Sequence, residues 1–423
     1  MQSLSDKGRL ARVLCCILAV SAAVASPAAA ATFGSPVVVT GTDTGEPGID
    51  VAPDGSSIYV NAPAGLLSNL PGSPSFLFRS DDGGATWRET PAGLRAPLPG
   101  GGDSDVSLDP VTGAIAWTDL WLGSSTVGKS TDKGETWLAQ PLQGVVVQDR
   151  QWVAQAGGGV VYHATHQIPS GLIVSKSIDG GLTYPISTIA ATVVDQTGCV
   201  CPPGLLIAEG ASMLGLNDRV GLIYATSTGG VKFARSTNGG LTFTNVNVSP
   251  ASDADTGQGF PIVANGGGGR LAAVWMEIQG NRSFVKLSTS SNWGSSWSAP
   301  RTLVGSGTPL YPWVAARGSK VAVSVYHTAD AEATPSTVPE GAQWFEKYTE
   351  SSDGGATFSP LQVVDPAPVK SGPICTEGIN CEGDRELLDF QALTIDPAGL
   401  SNLTWTRSID NVSDTEVRFV KQG

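Results

Sequence analysis

The chain has 423 residues, a formal net charge of −13, 41% hydrophobic residues and only 15% charged residues. Its 53 Gly, 28 Pro and 11 Trp are typical of a β-rich globular protein with many tight turns, and they exclude a mainly helical chain, a disordered chain and a collagen. The acidic balance excludes a general nucleic-acid-binding protein, because phosphate binding needs a basic face.

The first thirty residues have the pattern of a secretory signal peptide. A basic start, residues 7–12, precedes a short apolar run, residues 13–24, and Ala28-Ala29-Ala30 is a small-residue cleavage site. The apolar run is shorter than the roughly 20 residues that span a bilayer. We therefore predict a signal peptide over residues 1–30, a single secreted domain over residues 31–423 and no transmembrane segment in the mature chain.

An eight-residue motif, S-x-D-x-G-x-[ST]-aromatic, occurs six times, and in two copies Asn replaces the Asp. The copies begin at Ser80, Ser130, Ser177, Ser236, Ser290 and Ser351. An Asp or Asn side chain accepts backbone N–H bonds across a tight turn, and the glycine adopts positive φ without a Cβ clash. Alternating apolar and polar runs flank the motif, as in strands. The motif therefore predicts six hairpin turns.

These octets resemble the Asp-box, or bacterial neuraminidase repeat, of the sialidase superfamily. In that family the box joins the third and fourth strands of a propeller blade, on the rim away from the active site. The resemblance therefore implies a β-propeller fold and says little about chemistry.

A second unit, an apolar strand followed by a tight turn, precedes each octet and occurs a seventh time at residues 389–397. The stretch 32–39 is similar to the strand that follows the last octet, residues 357–364. We predict an all-β propeller of seven blades whose ring is closed by this N-terminal strand, which removes exposed sheet edges. The alternative is six blades, with residues 385–423 as an extra hairpin.

Four cysteines follow the predicted signal peptide. An oxidising exterior favours disulfides, so Cys375 and Cys381 are expected to staple one local loop. Cys199 and Cys201 are so close in sequence that a bond between them would be strained, and their pairing stays open. A zinc site is not expected, because no histidine lies near these cysteines.

Ligands of propellers usually meet the face opposite the octet turns, where loops lead into the innermost strands. The candidate catalytic residues on that face are Glu46, Asp103, Asp105, Asp149 and Tyr326. The candidate substrate-binding residues are Arg150, Arg385, Trp152, Trp313, His163, His166, His327 and Asp389. Two carboxylates flanking a glycosidic bond can act as acid and base, and indole faces can stack on sugar rings.

Each of these residues also has a structural interpretation. The carboxylates can cap turns, or together hold Ca²⁺, a hard ion that takes several oxygen ligands. The Asp149-Arg150 pair can brace a loop, the tryptophans can pack between sheets, and a histidine at a strand end can make an ordinary hydrogen bond. No cofactor is required by any of the functions considered, and Ca²⁺ is the one ion with candidate ligands.

The sialidase resemblance implies three arginines that bind the substrate carboxylate and a tyrosine nucleophile. The family's first arginine lies in a Phe/Tyr-Arg-Ile-Pro motif, where this chain has Glu46-Pro47-Gly48-Ile49, and this carboxylate would repel sialic acid. Arg150 and Arg385 can serve as two arginines, and Tyr311 or Tyr326 as the nucleophile. The full set of three arginines is not visible.

Three functions remain open from the sequence. The first is a glycoside hydrolase that uses paired carboxylates, the second a non-catalytic propeller that binds a glycan or a protein, and the third a polysaccharide lyase. In each case the expected partner is extracellular, most simply a glycan or polysaccharide, and the protein is expected to be a monomer.

Overall fold

The computed structural model describes residues 30–41, 43–65, 75–91, 102–121, 124–142, 148–167, 171–192, 203–210 and 214–423. The predicted signal peptide, up to residue 29, and the pair Cys199 and Cys201 lie outside these residues, so both predictions about them remain predictions. Within the described ranges, no helix has the length and apolar character needed to cross a membrane.

The strands form seven antiparallel sheets around a common axis, and in six of them four strands consecutive in the chain lie side by side from the axis outward. After β1 (Val37–Thr40), blades 1 to 3 contain β2 (Gly48–Val51), β3 (Ile58–Pro63), β4 (Ser75–Ser80), β5 (Arg88–Glu89), β6 (Ser104–Leu108), β7 (Ile115–Trp121), β8 (Ser124–Ser130), β9 (Leu138–Pro141), β10 (Gln148–Gly157), β11 (Val160–Gln167), β12 (Gly171–Ser177) and β13 (Ile186–Ala191).

The later blades continue this pattern. Blades 4 to 6 contain β14 (Pro203–Glu209), β15 (Arg219–Ala225), β16 (Val231–Ser236), β17 (Thr244–Ser249), β18 (Ile262–Gly267), β19 (Arg270–Gln279), β20 (Arg282–Ser290), β21 (Arg301–Val304), β22 (Thr308–Arg317), β23 (Lys320–Thr328), β24 (Gln343–Ser351) and β25 (Gln362–Val363). The chain ends with β26 (Lys370–Ser371), β27 (Ala392–Ile395), β28 (Ser401–Ser408) and β29 (Thr415–Lys421). Short β26 also pairs with β24, and 3₁₀ turns cover Pro335–Thr337 and Gly378–Asn380.

Blade 7 combines strands from both ends of the described chain. β1 pairs antiparallel with β29, with Val37 opposite Phe419, and the Gly423 amide donates to the Thr32 carbonyl over 2.9 Å. The prediction of seven blades closed by the N-terminal strand is confirmed. The six-bladed alternative is wrong, because residues 392–421 supply three strands of a complete blade rather than an added hairpin.

The octets form the turns between the third and fourth strands of blades 1 to 6. In the first turn Asp82 accepts hydrogen bonds from the Thr86 amide, 2.9 Å, and the Thr86 hydroxyl, 2.6 Å. The Asp- or Asn-to-amide bond recurs in the other five turns. Gly84 has a φ of 95°, and a Cβ there would lie 1.9 Å from the Phe419 ring. Glycine therefore provides both the backbone conformation and the space.

Aromatic side chains fill the middle of the ring. Trp152, Phe260, Trp313 and Phe390 come from the innermost strands of blades 3, 5, 6 and 7 or the residues just before them, and their contacting rings lie 5.6–6.0 Å apart. Edge-to-face pairs and the stacked pair Trp313–Phe390 are favourable packing arrangements. This aromatic floor closes the axis beneath the loops that lead into the innermost strands.

Candidate active site

Seven polar residues meet above the aromatic floor, and we call them the axial cluster: Glu46, Asp103, Asp149, Arg150, Tyr311, Arg385 and Asp389. They come from five blades, each from the segment that leads into or begins an innermost strand. Because every innermost strand starts on the same face, these segments converge on the axis. The octet turns lie on the opposite face, which we call the box face.

Arg150 lies at the base of this cluster. Its guanidinium carbon is 3.7 Å from the Trp152 ring centroid and 4.4 Å from that of Phe390. Its Nη1 lies 3.8 Å from Glu46 Oε2 and 3.9 Å from Asp103 Oδ2. The side chain is only 2% exposed, yet its Nε, Nη1 and Nη2 have no hydrogen-bond partner among the described residues. A buried guanidinium with unsatisfied donors is costly, so these donors are available to a ligand or to water.

Three members of the cluster have backbone conformations that are unusual for side-chain-bearing residues. The φ values are 46° at Glu46, 35° at Arg150 and 48° at Tyr311. Each such residue costs of the order of 1–3 kcal/mol and persists only where its surroundings fix it. Strain of this kind is concentrated at functional sites, and here it turns three side chains of different blades toward one point.

Glu46 and Asp103 both face the Nη1 atom of Arg150. Each has a carboxylate oxygen within 3.9 Å of that nitrogen, so these two oxygens lie at most about 8 Å apart, which is below the roughly 9.5 Å upper limit of the separations that glycosidases use. Burial, then the negative charges of Asp103 and Asp389, raise the pKa of Glu46 well above its ordinary value. Burial also raises the pKa of Asp103 to about 6, although Arg150 opposes the shift.

The remaining members lie around this pair. Burial raises the pKa of Asp149. Arg385 Nη2 donates to Asp389 Oδ2 over 2.8 Å, and the two side chains are 20% and 23% exposed. Against the lowering effect of burial, the Asp389 charge raises the pKa of Arg385. Since Asp103 is 24% exposed and Glu46 only 5%, solvent reaches Asp103, Arg385 and Asp389 first, and Glu46 lies deeper.

A loop that contains a disulfide bond leads directly into Arg385 and Asp389. Cys375 and Cys381 are bonded, as the sequence predicted. Lys370, whose side chain is fully buried, pairs with Glu386 and with Asp384. The Thr376 hydroxyl donates to Gln258 Oε1 over 2.7 Å, which ties the loop to the segment leading into blade 5. These contacts fix the chain on both sides of the arginine.

Asp105 does not join the cluster, although the sequence placed it among the catalytic candidates. Its two carboxylate oxygens accept the amides of Val106 and Val153, at 2.9 and 2.8 Å. It therefore links blade 2 to blade 3, as Asp50 links blade 1 to blade 2. Burial raises the pKa of Asp105 to about 7 and that of Asp50 to about 6. The geometry supports a structural role for Asp105.

Tyr326 and the two tryptophans are also placed away from the opening. The Tyr326 hydroxyl donates to the Thr406 carbonyl, 3.2 Å, and accepts the Thr406 amide, 3.1 Å, between blades 6 and 7. Trp152 and Trp313 are buried in the aromatic floor, so the predicted stacking on sugar has no exposed ring face. Tyr311, the alternative nucleophile, is the tyrosine that reaches the cluster, where burial and then Asp389 raise its pKa.

The three histidines have different surroundings. His163 is buried against Thr118, with 2.9 Å between Nε2 and the hydroxyl, and burial lowers its pKa to about 3. His327 contacts the Ser306 carbonyl and the Lys347 ammonium. His166 lies directly opposite Asp149 in the β10–β11 ladder, and its Nδ1 has no partner among the described residues. Only His166 neighbours the cluster.

Two other findings limit the choice of site. Nowhere in the described part of the chain do three or more His, Cys, Asp or Glu side chains form a group that could hold a metal ion, and Ca²⁺ binding remains a prediction. A cavity of about 370 Å³ lies on the box face between blades 5 and 6, lined by Arg270, Trp297 and serines of the fifth octet. It contains no carboxylate, so it offers no acid or base.

Sequence reasoning missed Phe260 and Phe390, which complete the aromatic floor. A signal for both existed, because each occupies the innermost-strand position that Trp152 and Trp313 hold in their own blades. Aligning the seven innermost strands by this position would have identified a floor made of four aromatic residues.

Comparison with known proteins supports the fold. The chain matches no protein-family model and no curated protein sequence. Similar solved structures include a protein of unknown function from Dyadobacter fermentans (12% identity, TM-score 0.54, 93% of this chain and 99% of that one). Others are an α-L-arabinofuranosidase of Fusarium graminearum (14%, 0.51, 92% and 97%) and the lectin BP39L of Burkholderia pseudomallei (10%, 0.54, 90% and 98%).

Proposed function

We propose that this protein is a secreted glycoside hydrolase with a sialidase-like Asp-box propeller, and that Glu46 and Asp103 are its catalytic carboxyl pair. The observation that carries the proposal is their shared contact with Arg150 above the aromatic floor. Fold neighbours named as an arabinofuranosidase and a lectin support a carbohydrate ligand. The predicted signal peptide and the Cys375–Cys381 bond support secretion.

The two carboxyl groups have surroundings suited to different roles. Glu46 lies deeper and its raised pKa favours the protonated form, so it can donate a proton to the departing glycosidic oxygen. Asp103 is more exposed and ionises above about pH 6, so it can activate water or attack the anomeric carbon. The limit on their separation fits both the inverting and the retaining course.

Arg150 supports the different roles of Glu46 and Asp103 without taking part in proton transfer. Its positive charge lowers the pKa of both Glu46 and Asp103 against the effect of burial. Because the charge of Asp103 also raises the pKa of Glu46, the two groups titrate as a pair, with two macroscopic steps. We expect a bell-shaped dependence of kcat/KM on pH, with an acid limb near 6 from the base and an alkaline limb from the acid.

The same geometry argues against a polysaccharide lyase and is compatible with a binding propeller. A lyase needs an arginine to hold the uronate carboxylate, but both arginines of the cluster already face carboxylates. A non-catalytic binding propeller remains the second candidate, since one fold neighbour is a lectin. It predicts glycan binding without turnover.

The test is a screen of the mature protein on aryl glycosides and polysaccharides, with Asp103→Asn as the site variant. Asp54→Asn, in the exposed turn between β2 and β3, is the matched control. Turnover that is lost in Asp103→Asn and kept in Asp54→Asn supports the hydrolase. Glycan binding with no turnover in any form would establish the binding propeller instead.

A further inference from the structure

The charges of the axial cluster are unequal. Four acidic side chains, Glu46, Asp103, Asp149 and Asp389, surround two arginines. Arg150 faces Glu46 and Asp103 at 3.8 and 3.9 Å, and Arg385 donates to Asp389 over 2.8 Å. Each arginine is thus matched by an aspartate of the protein itself, and with Glu46 protonated the three aspartates still outnumber the two arginines.

The Arg385–Asp389 pair lies where a ligand would first make contact. Both side chains are about a fifth exposed, more than Arg150 or Glu46. The contact uses Nη2, while Arg385 Nε is buried and has no hydrogen-bond partner among the described residues. A guanidinium recognises a ligand carboxylate best through two parallel N–H bonds. Asp389 occupies the position on Arg385 that such a carboxylate would need.

Arg150, the more buried of the two arginines, favours ligand hydroxyl groups over carboxylates for a different reason. The three unpartnered nitrogens of Arg150 can donate to ligand hydroxyls. A ligand carboxylate at that depth would instead lie beside the charge of Asp103, and like charges in a poorly solvated site repel strongly.

We propose that the axial cluster selects uncharged sugars, and that Asp389 is the specificity-determining residue that excludes carboxylated sugars by occupying Arg385. The inference rests on the proposed carbohydrate function and assigns a substrate class to the same site. It predicts a gain of binding on mutation, which a residue with only a structural role would not produce.

The experiment measures binding of D-glucuronate and D-glucose by ligand-observed NMR. Asp389→Asn should raise the ratio of glucuronate to glucose affinity about tenfold, because Arg385 can then form a charge-assisted pair with the ligand. Glu377→Gln, which removes one negative charge from an exposed position of the same loop, should leave the ratio unchanged. The double variant Asp389→Asn/Arg385→Met should lose the gain.

Each alternative result overturns the proposal. Wild-type protein that binds glucuronate as well as glucose, or Asp389→Asn that shows no glucuronate binding up to the solubility limit, rules out the exclusion role. A gain that persists in the double variant would show a general charge effect. Failure of the hydrolase proposal is separate, because it appears as absence of turnover while the change in affinity ratio is still measurable.

Discussion

Aspartates on the two faces of the propeller have opposite electrostatics. On the box face, the Thr86 hydroxyl and amide and the Ser80 hydroxyl lower the pKa of exposed Asp82 to about 2. On the axial face, burial raises the pKa of Asp103 to about 6. The side chain is the same, so the difference comes from hydrogen-bond donors on one face and from burial among like charges on the other. The arrangement around Asp82 stabilises a turn. The arrangement around Asp103 gives a carboxyl group a pKa close to neutral pH.

The same amide substitution on the two faces should have very different effects. Glu46→Gln should lower kcat/KM by roughly 10²–10⁴-fold, the usual contribution of a general acid, and should leave the unfolding midpoint nearly unchanged, because a neutral amide replaces a protonated carboxyl of the same shape. Asp82→Asn should retain full activity, since two of the natural octets carry Asn at this position. Steady-state kinetics and thermal unfolding measure both, and a comparable rate loss in Asp82→Asn would contradict the division between the faces.

Two neighbouring glycines of the box face should differ in their tolerance of added volume. Gly84→Ala should reduce the free energy of unfolding by about 2–4 kcal/mol, since it adds strain at positive φ and overlap with a ring. Its neighbour Gly83, with a φ of 76° and nothing within 4 Å of an added Cβ, should cost about 1 kcal/mol as alanine, from the conformation alone. Urea unfolding compares the two. Equal losses would show that contact with Phe419 is unimportant.

The pH dependence of stability should also divide between the faces. The folded pKa of Asp105, about 7, is above the unfolded value of about 3.9. The contribution of Asp105 to the free energy of unfolding is therefore fully present below about pH 4 and is lost as the pH rises through 7. In Asp105→Asn, the free energy of unfolding should therefore fall less between pH 4 and pH 7 than it does in the wild-type protein. The folded pKa of Asp82 is lowered to about 2, so its contribution is present above about pH 4 and lost as the pH falls, and Asp82→Asn should alter the slope of stability against pH only below about pH 4. An unchanged slope in Asp105→Asn would be evidence against a shifted carboxyl at this position.

Reduction of the Cys375–Cys381 bond should have the smallest effect. The loop that carries Arg385 keeps the Lys370–Glu386 pair and the contact of Thr376 with blade 5. We expect KM to rise a few fold with little change in kcat, because ordering the loop then costs part of the binding energy. A Cys375→Ser/Cys381→Ser variant should match the reduced protein and show no response to reductant. Global unfolding on reduction would contradict a local role.

The architecture was accessible from the sequence because it is repeated. Six octets, seven apolar strand units and one N-terminal strand without a neighbour fixed the number of blades and the closure. Each signal is local, since a tight turn or an alternating strand depends on residues close in sequence. The loop disulfide was predictable for the same reason.

The side chains of the site were only partly accessible. Asp103 and Asp105 are two apart, and strand alternation would place both on one side. Asp103, however, precedes the first residue of β6, so its direction is set by a loop, whereas Asp105 follows the strand and points between blades. Likewise, sequence could not choose between Tyr311 and Tyr326, because the positive φ of Tyr311 is imposed by its tertiary surroundings.

The closure of the ring has a kinetic consequence. β1 and β29 are separated by about 380 residues, and bringing such distant segments together carries a large loop-closure entropy. Blades 1 to 6 each consist of consecutive strands and can form from local contacts, which are made quickly. Blade 7 must wait until residues 415–421 have left the ribosome. During that interval β1 is an unpaired edge, and its exposed backbone groups are a site for pairing with another chain.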